Sequence, residues 1–146
     1  MNVKLIWDVF KMKNGLNKER DLVNYLEYKG LPSVRVAGSG GGTRKDKPDI
    51  ISFDKGKAYA IELKSSSNDS IYISEEQIKE LYRFAERAGI IPVIAIKFTY
   101  LPYCFMTSRD LKVVGDGNYR IDREKASKFK NKLVLTGWNG CGGEGF

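Results

Sequence analysis

Hydrophobic positions recur along this chain in two rhythms, one helical and one of strands. Leu22, Val23 and Leu26 fall at helical spacing behind Asn17, a side chain suited to capping, and Gly30 supplies a stop. This predicts a helix over residues 17–29. Residues 33–36 read as a short strand, and 37–47 as a loop containing the run Gly38-Ser39-Gly40-Gly41-Gly42. Residues 49–53 form a buried-looking strand, Asp54-Lys55-Gly56-Lys57 a hairpin turn, and 58–64 the partner strand. A polar loop spans 65–70. Ser74, with Gln77 three residues on, marks a capping box; Ile78, Leu81, Tyr82 and Ala85 give the following helix an apolar face, and Gly89 ends it. The continuous apolar run 92–98 suits a strand buried on both faces of a mixed sheet. Residues 103–107 read as another strand and 122–130 as a short basic helix. The order predicts an α/β domain with a central mixed β-sheet flanked by helices.

Length adds one constraint. The 146 residues support one domain, residues 1–146, with a core over about 15–133 and a Gly-rich tail at 134–146. The apolar run 88–96 is broken by Pro92 and is too short for a membrane span of about 20 residues. Cys104 and Cys141 form no CxxC pair and read as free thiols in a reducing cytoplasm.

Charge changes the picture more. The chain carries 25 Lys and Arg against 18 Asp and Glu, a formal net charge of +7, and has no histidine. The lack of histidine removes Ser-His-Asp triads, Cys-His pairs and HExxH zinc sites together. Residues 1–48 hold 10 basic and 5 acidic side chains, 49–100 hold 7 and 8, and 101–146 hold 8 and 5. The carboxylates therefore concentrate in the centre while basic flanks suit a polyanion, most often nucleic acid.

In that centre Asp49 follows Pro48, and Glu62-Leu63-Lys64 lies thirteen residues on. A hairpin turning at Lys55-Gly56 sets Asp49 beside Glu62, and Glu62 and Lys64 leave the same face of their strand. Alternating charges on a strand are commonly a solvated face. Here the neighbours Ile50, Ile51, Ile61 and Leu63 mark core strands, where isolated charges are costly unless they gather around something. Two carboxylates offer hard oxygen ligands to Mg²⁺, and a lysine beside them can neutralise a phosphoryl transition state. This is nuclease chemistry without histidine.

Longer strings then become informative. Gly15-Leu16-Asn17-Lys18-Glu19-Arg20-Asp21-Leu22-Val23, Val34-Arg35-Val36-Ala37-Gly38-Ser39-Gly40, Pro48-Asp49-Ile50-Ile51 and Ala60-Ile61-Glu62-Leu63-Lys64 occur in order, followed by Phe84-Ala85 and Ile96-Lys97-Phe98. Over about residues 15–107 the chain resembles the archaeal Holliday junction resolvases, within the PD-(D/E)xK, restriction-endonuclease-like superfamily. The resemblance implies that fold, a homodimer, Mg²⁺ (with Mn²⁺ as substitute) and hydrolysis of four-way junction DNA. It implies metal ligation by Glu19, Asp49 and Glu62, catalysis by these with Lys64 and Ser39, and phosphate contact by Arg20, Arg35 and Lys97. It associates Phe84 with the dimer surface. The loop 41–47 is longer and more basic than the family pattern, so Arg44, Lys45 and Lys47 join the expected DNA contacts.

Three bland readings stand beside these. Glu19 suits an exposed first helical turn, Arg20 a solvated charge, and Phe84 the core. The Gly-rich loop lacks the Walker and dinucleotide-binding patterns. Three functional alternatives also remain: another PD-(D/E)xK endonuclease of restriction or mismatch type, a non-catalytic junction-binding module, and an RNA-processing nuclease, which the lack of an RNP-like aromatic strand motif disfavours. The tail, with Trp138 and Phe146, reads as a lightly packed end or as an anchor for a sliding clamp or other repair factor. The expected compartment is the cytoplasm of an archaeal cell, or of the host if the source is viral.

Overall fold

The computed structural model describes residues 17–37 and 47–128. Among these, helix α1 (Lys18–Tyr28) leads into β1 (Ser33–Arg35), β2 (Ile50–Asp54) and β3 (Lys57–Ser66). Then come β4 (Ser70–Ile73), α2 (Glu75–Ala88), β5 (Ile91–Phe98) and β6 (Cys104–Met106). A 3₁₀ turn at Ser108–Asp110, β7 (Lys112–Val113), β8 (Tyr119–Asp122) and α3 (Arg123–Ser127) complete the order. The expectations for Ser39, Arg44 and Lys45, for Cys141 and for the tail with Trp138 and Phe146 fall outside the described residues.

The main sheet has the order β1-β2-β3-β5-β6. Only β3 and β5 run parallel, Tyr59 opposite Ile91 through Ser66 opposite Phe98; their neighbours are antiparallel, so the sheet is mixed, as predicted. The β2–β3 hairpin turns on Lys55 (φ 48°) and Gly56 (φ 93°). Two successive positive φ values give the primed turn whose twist matches paired strands.

Side-chain alternation divides the core in two. Ile50, Tyr59, Ile61, Val93 and Ala95 face α1, where Leu22, Tyr25 and Leu26 are buried. Ala60, Ile94, Ile96 and Phe98 face the opposite way, under Ile78, Leu81 and Ala85 of α2. The capping box of α2 forms as the sequence predicts: Gln77 N donates to Ser74 Oγ at 3.1 Å, and Ser74 N donates to Gln77 Oε1. Gly89 stops the helix in the left-handed conformation.

The structure departs from the sequence reading in three places. Asn17 makes no side-chain cap to α1, and its amide oxygen accepts from Arg35 instead. β3 runs on through Ser65 and Ser66 of the predicted loop because pairing with β5 continues there. A second sheet, in the order β4-β8-β7, arises partly from residues predicted as loop. Its strands are two to four residues long, so alternation is too brief to register. Tertiary contact supplies what local pattern lacks: Ile71, Ile73 and Ile121 turn inward and extend the α2 side of the core. The predicted helix 122–130 appears over Arg123–Ser127.

Ser74→Ala removes the cap hydrogen bond of α2. It lowers stability by about 1 kcal/mol, read as a fall in the urea midpoint with an unchanged slope.

Candidate active site

Asp49 enters β2 in a position fixed from both sides. Its N–H donates to Ile61 O at 3.0 Å, and its carbonyl accepts from Val36 N at 2.9 Å. Its carboxylate Oδ2 accepts from Leu63 N at 2.9 Å. Ile50 pairs with Ile61, so one step back along the antiparallel register sets Asp49 beside Glu62 on the α2 face. Glu62 and Lys64 leave β3 on that same face, opposite Ile94 and Ile96 of β5. The three residues are brought together as their spacing predicts.

Glu19 arrives from elsewhere. It lies in the first turn of α1 and pairs with Arg35 of β1 at 3.3 Å, while Arg35 Nη1 donates to Asn17 Oδ1 at 3.4 Å. Its carboxyl lies near enough to that of Asp49 for each to shift the other's protonation. Arg35 thus joins the chain start of α1 to the sheet edge and brings a helix carboxylate to the strand pair.

The carboxyls strain one another electrostatically. Burial raises the pKa of Glu19, the Asp49 charge raises it further, and Arg35 opposes both. Burial also raises Asp49, against the hydrogen bond from Leu63 and the charge of Lys64. Glu62 rises furthest, to about 8, through burial first and then the Asp49 charge; Lys64 opposes, while Glu19 and Glu80 add to the rise. Glu80, on α2, was not among the sequence candidates. Its signal was present only as helical periodicity, since it lies on the flank of α2 turned toward β3.

The remaining candidates spread outward. Arg20 and Lys47 are exposed. Lys97 lies one residue beyond Ile96, hence on the α1 face, opposite to Lys64. Its Nζ stands 5.9 Å from the centroid of the Tyr103 ring and donates to Phe98 O at 3.1 Å. Phe84 packs at the margin of the α2 core, half-buried. Among the described residues, no group of three or more His, Cys, Asp or Glu stands as a preassembled metal cage. No helix among them is long and apolar enough to cross a membrane.

A carboxyl whose folded pKa is raised stabilises the fold while protonated. That contribution is complete below the ordinary carboxylate range and is lost as pH rises through about 8 for Glu62. The metal-free protein therefore melts at lower temperature at pH 9 than at pH 5. Glu62→Gln flattens that slope and raises the pH 9 midpoint, as calorimetry in a chelator can read.

Comparison with known proteins identifies the family and the fold. The family model for the archaeal Holliday junction resolvase (Hjc) matches residues 10–136. A crossover junction endodeoxyribonuclease Hjc of Sulfurisphaera tokodaii is 34% identical over 115 residues, 78% of this chain and 79% of the relative. Its counterpart in Methanocaldococcus jannaschii is 39% identical over 88 residues, 60% of this chain and 62% of the relative. The structure of Hjc from Archaeoglobus fulgidus, a Holliday junction resolvase, superposes with a TM-score of 0.69 at 28% identity, covering 77% of this chain and 91% of that one. The mixed sheet with its flanking helices is the restriction-endonuclease-like fold, and the chain belongs to the archaeal Holliday junction resolvases, a family of nucleases.

Proposed function

We propose that this chain resolves four-way DNA junctions by metal-dependent phosphodiester hydrolysis, as a homodimer. The convergence of Asp49, Glu62 and Lys64 on one sheet face carries this reading. The names of the relatives, crossover junction endodeoxyribonucleases, support the substrate.

Glu19, Asp49 and Glu62 would hold Mg²⁺, or Mn²⁺ in its place. Their donor set is all hard oxygen. Their pKa values are raised, by burial first at all three and then by the Asp49 charge at Glu19 and Glu62, a cost that a bound cation would offset. Such an ion polarises a phosphoryl oxygen and lowers the pKa of a bound water. Lys64 stabilises the charge that develops on the phosphate. Arg35 orients Glu19 and, with Arg20 and Lys47, contacts phosphate; Ser39, Arg44 and Lys45 extend that contact along the loop. Lys97 serves DNA at the other flank of the sheet. Selectivity follows from the shape of the junction rather than from base sequence.

A four-way junction is two-fold symmetric, so a two-fold dimer presents one site to each of two strands. The surface for it is apolar. Val34, 51% exposed, stands beside Ile51, and Phe53, 42% exposed, continues the same face of β2. Phe84 lies on the α2 flank toward this end of the sheet. A second copy of the chain covers this strip. The cytoplasm is the compartment assigned, and a sliding clamp or another repair factor is the partner class assigned to the tail.

The direct test is incubation with a fixed four-way junction and Mg²⁺, beside linear and Y-shaped controls. Paired, symmetric nicks near the branch point are the expected product. Linear duplex cut as fast as the junction points instead to a restriction- or mismatch-type enzyme. Tight junction binding without any metal-dependent cutting points to a non-catalytic module.

Asp49→Asn, Glu62→Gln and Lys64→Ala each reduce cleavage by roughly 100-fold or more, with gel-shift affinity for the junction largely kept. Wild-type cutting by any one of them would remove that residue from the mechanism. Phe53→Lys shifts the protein toward monomer in sedimentation and turns paired nicks into single ones, without unfolding the chain, since the ring is exposed.

A further inference from the structure

One aromatic side chain is displayed in a way the catalytic site does not account for. Tyr100 is 93% exposed, the most exposed of the large hydrophobic residues among those described. Its φ is +71°, a region that disfavours side chains and usually takes glycine. It occupies the third position of a turn closed by Leu101 N donating to Phe98 O at 3.0 Å. An exposed ring and an unfavourable backbone are two separate costs at one residue, the combination that marks a surface kept for contact.

The turn is held rigidly. Thr99 N donates to Ser66 O at 3.0 Å, joining the ends of β5 and β3. Arg123 Nη1 donates to Thr99 O at 2.7 Å, and its Nη2 to Ser67 O and Asn68 O, each at 3.1 Å. The same guanidinium lies 5.1 Å from the centroid of the buried Phe98 ring. Buried Phe98 and half-buried Leu101 bracket Tyr100 as anchors, so the ring projects from a fixed base.

Position decides what it meets. β3 and β5 are parallel, so Tyr100 stands at the end of the sheet toward which Lys64 and Lys97 lie. Glu62 is level with Ile94, which puts Tyr100 at most ~20 Å from it along the strand direction. One DNA junction can span that distance. The apolar strip of Val34 and Phe53 lies toward the opposite end of the sheet, and the segment beside Tyr100 is polar, Ser66 to Ser70. A solitary ring on a polar, rigid turn suits stacking on a flat aromatic surface better than burial in a protein interface.

We propose that Tyr100 is a specificity-determining residue that stacks on a nucleobase exposed at the branch of the DNA. The inference rests on the junction reading above and adds to it a contact that duplex DNA, with its bases stacked internally, does not offer.

The test is fluorescence anisotropy in chelator, where nothing is cut, with a fixed four-way junction and a linear duplex of equal length. Tyr100→Ala and Tyr100→Gly weaken junction binding roughly tenfold, leave duplex binding within about twofold, and Tyr100→Phe keeps wild-type affinity. Tyr100→Gly also melts no lower than the wild type, because glycine relieves the positive φ, so its loss of binding is not loss of folding. Junction binding unchanged in both the Ala and the Gly variants overturns the proposal and leaves the junction reading intact. An equal loss on junction and duplex overturns it as well, as does a loss of dimer in sedimentation of Tyr100→Ala, which would make the ring a protein contact. A wild-type protein with no preference for the junction overturns both readings together.

Discussion

Carboxyl groups crowded at the edge of a hydrophobic sheet cost free energy, and this structure is organised around holding them there. Burial raises the proton affinity of Glu19, Asp49 and Glu62; the Asp49 charge adds to the rise at Glu19 and Glu62, while Glu19 lowers that of Asp49. Left to themselves such groups would separate into water. They stay because Asp49 is hydrogen-bonded through its backbone to both neighbouring strands and through its side chain to Leu63 N. Fixed dipoles and a nearby lysine replace part of the hydration that the carboxylates lose. The pairing of β2 with β3 is therefore both the core of the sheet and the support of the site.

The two ends of the sheet have different characters for a related reason. Toward the C-terminal ends of β3 and β5 the surface is polar and cationic, with Lys64, Lys97 and Arg123. Toward the far end Val34 and Phe53 leave apolar area exposed. Positive charge attracts a polyanion, while exposed apolar area favours contact with another apolar surface.

The small second sheet has a supporting role. It widens the core beneath α2 through Ile71, Ile73 and Ile121, and it delivers Arg123 to the turn that carries Tyr100. The same arginine reaches three carbonyls from two segments, a bracing that no neighbouring residue in sequence could provide.

Much of this was determined by sequence alone, because its causes are local. Turn chemistry at Lys55-Gly56 sets the hairpin register, and the register sets Asp49 beside Glu62; a two-residue period then puts Lys64 on the same face. The capping box and Gly89 delimit α2 for equally local reasons. Tertiary structure decided what depends on distant segments. The contact of Glu19 with Asp49 needs α1 docked on the sheet edge, with Arg35 between them. Glu80 approaches Glu62 only because α2 packs across β3. The face taken by Lys97 follows from its offset of one residue from Ile96, which sequence resemblance does not weigh. The second sheet was illegible because strands of two to four residues show no period; β4 becomes a strand only on pairing with β8, as Ile71 does with Ile121 fifty residues on, and β7 only on pairing with that same β8. Short elements of this kind owe their existence to shared burial, and burial is a property of the assembled chain.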